Sequence, residues 1–213
     1  MKKKTLTIAI ALVLVVALAV GATWAYLTAT TGEVKNTFVV GALGNSNLKL
    51  EEHVVSYDKT TGKYTESTET TSSGQSYIVQ PGVNIPKDPT VTLSNLDANT
   101  GAYVFVGVKG TATATFNWSV DNAVWQPLMK DNAQVVKDGY KIYVLKAGVV
   151  TAGSQWAVLK ANDDGTEITV DKEFALTEGQ EASALNIDVV AYACQSAGFG
   201  SAYDAFNASF LSK

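Results

Sequence analysis

From Asn47 to Gln195 the chain is written in short runs rich in valine, threonine and aromatic residues, each closed by a Gly, Asn or Asp turn signal. Side chains of these types suit the pleated, half-buried surface of a β-sheet. Helical periodicity is almost absent before Ser201. The pattern therefore predicts an all-β fold, an antiparallel β-sandwich closed by a short C-terminal helix.

Residues 47–53 alternate Leu48 and Leu50 against Asn47, Lys49 and Glu51, which reads as the first strand with one face buried. Residues 56–76 are rich in Ser, Thr and Gly, and 58–62 read as a hairpin turn within a solvated excursion. Pro81, Pro86 and Pro89 each lack a backbone donor and forbid a central paired strand before Thr90. Strands are expected near 90–94 and 102–109, and alternation through Ala112, Ala114, Phe116 and Trp118 suggests another over 111–120. Asp138-Gly139 marks the bend of a hairpin joining 134–137 to 140–145. Further strands are expected over 156–161 and 166–170, with a turn at 162–165 between them. Residues 184–195 become apolar almost throughout, as a central strand does. Ser201 and Asp204 then have the spacing of a capping box, with Ala202, Phe206 and Phe210 on one face of the terminal helix.

The N-terminus has a different texture. Lys2, Lys3 and Lys4 precede an uncharged apolar run over 8–20, and small Gly21, Ala22 and Ala25 follow. That order is the order of a secretory signal peptide. A membrane-crossing helix needs about 20 apolar residues, and this run is shorter, with polar Thr28, Thr30 and Thr31 soon after it. Cleavage is expected between Ala25 and Tyr26. The chain then divides into a signal peptide (1–25), an N-terminal arm (26–44) and the sandwich domain (45–213).

Three blocks of sequence carry a family resemblance. The first is Gly21-Ala-Thr-Trp-Ala-Tyr26, followed by Asn36-Thr-Phe-Val-Val-Gly41-Ala-Leu43. The second runs from Pro81-Gly82 through Lys87-Asp-Pro89 to Ala102-Tyr-Val104, and the third is Ala191-Tyr-Ala-Cys-Gln195 before Gly198-Phe199 and the helix. Together they resemble the TasA/camelysin family of exported Gram-positive proteins, which a SipW-type signal peptidase processes. Two departures are Thr28 and Ala29, where an acidic residue is common, and Cys194, where the family usually has an aliphatic one. The resemblance implies that the sandwich is a jelly-roll-like antiparallel β-sandwich, and that the chain is a secreted structural subunit of extracellular fibres or biofilm matrix, with other copies of itself and the signal peptidase as its partners. On this reading the membrane is met only through the signal peptide before cleavage.

Composition narrows the alternatives. Without the three signal lysines the formal charge of −4 becomes −7, and all sixteen basic residues are lysine. The bidentate arginine forks that read guanine or clamp phosphate are therefore missing, and nucleic acid is not expected as a partner. A lone cysteine, Cys194, rules out an internal disulfide framework and reads as an inert thiol in an apolar strand.

The inventory for catalysis is thin. His53 is the only histidine, so a His-Glu-x-x-His zinc site or any other site needing two imidazoles cannot form within one chain. Glu51, Glu52 and His53 read as an exposed strand end rather than a metal site. The acidic stretch 162–167 lacks calcium-loop spacing. Trp125, Tyr140 and Tyr143 read as core residues before they read as a sugar platform. No catalytic residue, metal or cofactor is expected.

Assembly is expected to use the arm. Tyr26, Leu27, Phe38, Val40 and Leu43 are its apolar side chains, available to add a strand to another subunit's sheet head-to-tail. The same arm could instead fold back as an edge strand of its own domain. Two other functions stay open, a monomeric adhesin or carbohydrate-binding module, and a camelysin-like metalloprotease.

Overall fold

The computed structural model describes residues 28–30, 47–94, 96, 101–110, 112–113, 116–151, 153–160, 168–174 and 186–212. In chain order the strands are β1 (Thr28–Thr30), β2 (Leu48–Asp58), β3 (Lys63–Thr71), β4 (Asn84–Ile85), β5 (Thr90–Leu93), β6 (Ala102–Gly110), β7 (Phe116–Asn117) and β8 (Trp125–Pro127). They continue as β9 (Met129–Lys130), β10 (Ala133–Gln134), β11 (Val136–Lys137), β12 (Tyr140–Leu145), β13 (Ser154–Ala157), β14 (Ile168–Val170) and β15 (Ile187–Gln195). Helix α1 (Ala202–Phe206) and a π-helical turn (Asn207–Leu211) follow.

The fold is an all-β sandwich of antiparallel sheets. A six-stranded sheet has the order β1-β15-β6-β12-β11, with β8 also paired to β12. A four-stranded sheet, β13-β5-β2-β3, faces it, and a small sheet, β4-β14-β7, lies to one side. Between the two large sheets Leu48, Val91 and Leu93 pack against Val104, Val106, Val189, Ala191 and Trp125. On the outer face of the six-stranded sheet Phe105, Ile142, Val190, Tyr192 and Cys194 are covered by Ala205, Phe206 and Phe210. Both faces of β6 and β15 are thus buried, which is why these strands read as nearly continuous apolar runs.

Three backbone positions depend on local chemistry. Asp138 and Gly139 both have positive φ, 53° and 82°, as the two-residue bend joining β11 to β12 demands. At Gly107 a Cβ would stand 2.8 Å from Val190 and 3.0 Å from Tyr140, so only glycine lets these side chains cross that strand.

The helix starts as its sequence suggests, with a difference at the cap. Ser201 Oγ accepts from the Asp204 amide at 3.1 Å, and its hydroxyl donates to the Asp204 carboxylate at 2.7 Å. Asp, one methylene shorter than the usual Glu, bonds the serine hydroxyl here.

Three expected strands are shorter or divided. Among the described residues, the run over 111–120 keeps only β7 as a strand; Thr113 and Phe116 bond each other instead of a ladder, the Thr113 amide donating to the Phe116 carbonyl at 2.8 Å and the Thr113 hydroxyl accepting from the Phe116 amide at 2.9 Å. The arm 134–137 is split between β10, which pairs with β9, and β11, which pairs with β12. The strand expected over 156–161 is β13, at Ser154–Ala157. Beyond it the Val158 amide turns to Pro89 and the Lys160 amide to Ser119. Trp125 and Tyr140 are buried, and the Trp125 indole donates to the Ala157 carbonyl at 2.7 Å.

Candidate functional site

The ladder between β2 and β5 ends at Glu51 and Thr90. Pro89 and Pro86 have no N–H with which to prolong it, so side chains take over. The His53 amide donates to Asp88 Oδ1 at 3.0 Å, and the His53 ring nitrogen Nδ1 meets Asp88 Oδ2. Beside this pair, Lys87 Nζ lies 2.5 Å from Glu52 Oε2. Two neighbouring residues of β2 are thereby tied to two neighbouring residues of the proline-bounded segment 86–89.

The expectation of an exposed strand end at 51–53 is corrected here. These residues lie in the middle of β2, Glu52 is 7% exposed and Lys87 8%. Alternation carries the signal, since Leu48, Leu50 and Glu52 follow one another on the same face. A buried carboxylate requires a partner, and Lys87 supplies it.

On the other side of β2 the pairing with β3 shifts register between His53 and Val55. Gln75 fills the gap as a substitute backbone. Its Oε1 accepts from the Val55 amide at 2.9 Å, and its Nε2 donates to the His53 carbonyl at 2.8 Å and to Glu52 Oε1 at 3.2 Å. The Tyr77 hydroxyl reaches the same oxygen at 3.4 Å, and the Lys87 ammonium stands over the Tyr77 ring, 5.3 Å from its centroid. Burial, with the Glu52 charge nearby, pushes the Tyr77 phenol well above its ordinary range. The hydrogen bond and charge of Asp88 raise the His53 imidazole above 6.5.

Gln75, Tyr77 and Lys87 also line a cleft of about 270 Å³ whose apolar wall comes from Val79, Ile85 and Phe116. The arrangement is a buried amine and carboxylate held in contact, with amide and phenol donors on the carboxylate, next to a space open enough for water.

Of the residues singled out from sequence, Ala25, Tyr26, Leu27, Phe38, Val40 and Leu43 lie outside the described residues, as does the acidic stretch 162–167. The described part of the arm is β1, which pairs antiparallel with β15, Thr28 opposite Cys194 and Thr30 opposite Tyr192. Cys194 is buried, and burial pushes its thiol up to about 12, with Ser209 pulling weakly the other way. Among the described residues no three of His, Cys, Asp and Glu cluster as a metal site would need. No described helix is long and apolar enough to cross a membrane.

Comparison with family models, with curated proteins and with solved structures finds no match.

Proposed function

We propose that the chain is an exported, non-enzymatic structural subunit of the TasA/camelysin kind, whose N-terminal arm adds a strand to the main sheet of the next copy in an extracellular fibre. The observation that carries this reading is β1. Thr28–Thr30, directly after the expected cleavage point, occupies the edge of the six-stranded sheet beside β15. An edge position filled by a short segment near the new N-terminus can be filled equally by the same segment of a neighbour, because the main-chain hydrogen bonds are identical. Exchange in one direction gives a head-to-tail interface that does not close and so propagates. The three resembling sequence blocks support the same reading.

The test removes the arm. Secreted protein is expected to begin at Tyr26 by mass spectrometry and to form filaments under negative stain. Deletion of residues 26–36, which takes β1 with it, is expected to leave a folded domain that does not polymerise. Normal filaments from the truncated protein would refute strand addition.

A further inference from the structure

The Lys87–Glu52 pair is more than an ion pair in its setting. Both side chains are about nine-tenths buried, at 10% and 8% exposure, and taking two charges out of water costs more than their attraction readily returns. Passing one proton from the ammonium to the carboxylate removes both charges. It also leaves an amine lone pair beside a carboxylic acid, the two components of an amide.

We propose that Lys87 and Glu52 condense into an intramolecular isopeptide bond, from Lys87 Nζ to Glu52 Cδ. The neutral amine attacks Cδ while Oε1 takes up the developing negative charge. Gln75 Nε2, 3.2 Å from Oε1, stabilises it, and Gln75 is itself fixed by its two bonds to the β2 backbone. Donors that stand in place before charge develops lower the barrier most. A second proton passes from Nζ to Oε2, the Cδ–Oε2 bond breaks and water leaves. Three protons on the ammonium become one on the amide nitrogen and two in the water, and no oxidant or co-reactant is needed. The adjoining cleft, lined by Lys87, Tyr77 and Gln75, gives the water an exit.

Placement favours reaction over exchange with solvent. Lys87 is held between Pro86 and Asp88, and Asp88 is anchored on His53, so Nζ cannot swing far from the carboxyl. Holding reactants at contact is worth an effective concentration of about 10⁵ M or more in well-aligned intramolecular reactions. The product ties the middle of β2 to the segment entering β5 and replaces a desolvated ion pair with a neutral amide.

Peptide mapping of the purified protein tests it. After denaturation and proteolysis, the peptide containing Glu52 is expected joined to the peptide containing Lys87, one water lighter than the two together, with trypsin failing to cut after Lys87. Lys87→Arg keeps a positive charge but offers no nucleophilic amine, and is expected to restore the full mass and release the peptide containing Glu52. Recovery of the two wild-type peptides separately at full mass overturns the proposal, and that outcome is readable whether or not the variant folds.

Discussion

Thr28 stands opposite Cys194 in the antiparallel pairing of β1 with β15, so the first described strand lies against the strand that carries the only thiol. The strand addition proposed above would bring the backbone of a neighbour's β1 to the backbone of β15. The Cys194 side chain, in contrast, is buried with Phe206 and Phe210 in the cluster under α1. The edge proposed for assembly and the thiol are therefore neighbours without being partners.

This separates two experiments. Cys194→Ala removes a small buried side chain and is expected to cost about 1–2 kcal/mol of stability while leaving filaments unchanged. With its thiol pushed up to about 12 by burial, Cys194 is expected to resist iodoacetamide at neutral pH in the folded protein and to react once the chain is unfolded. Rapid alkylation of the native protein, or loss of filaments in the alanine variant, would show a thiol with a role at the edge.

The second prediction concerns pH. The Asp88 hydrogen bond and charge raise the His53 imidazole above its ordinary 6.5. A raised value means that the folded state binds the proton more tightly than the unfolded chain. The resulting stabilisation is fully present below the unfolded value and is lost as pH rises through the folded one. The side chain of His53 is 43% exposed, so solvent screening keeps the effect small. Thermal midpoints of wild type and His53→Gln, compared from about pH 5 to 9, are expected to show a decline as pH rises past the ordinary imidazole range in the wild type that the variant lacks. Parallel profiles would mean that the pair with Asp88 does not persist in solution.

What could be read from sequence follows the range of the interactions. The Asp138-Gly139 bend, the β2–β3 turn and the Ser201 cap depend on residues within a few positions of one another, and each appears where its local chemistry puts it. The run around Phe116 misleads because one side chain, Thr113, offers the backbone a turn in place of a ladder. Alternation in β2 already points Glu52 inward, but its partner Lys87 is 35 residues away and is reached only through the pairing of β2 with β5. Gln75 is harder still. Its task exists only because β2 shifts register between His53 and Val55, and nothing in the composition of 47–58 announces that irregularity.

The last prediction tests whether the terminal helix is structural. Helix α1 has five residues and the π-helical turn another five, far too few to be stable alone. They are held by Phe206, which is fully buried with ring centroids 4.9 Å from Phe105, 5.4 Å from Tyr192 edge-on and 5.1 Å from Phe210. Truncating such a side chain removes its transfer free energy and leaves a cavity among three rings that cannot collapse together. Phe206→Ala is therefore expected to cost about 3–5 kcal/mol in chemical denaturation, and to release α1 so that amides of the outer face of β6 and β15 exchange faster with solvent. A loss below about 1 kcal/mol would mean that the six-stranded sheet keeps its outer face covered without the helix, and that α1 is an appendage rather than the third layer of the core.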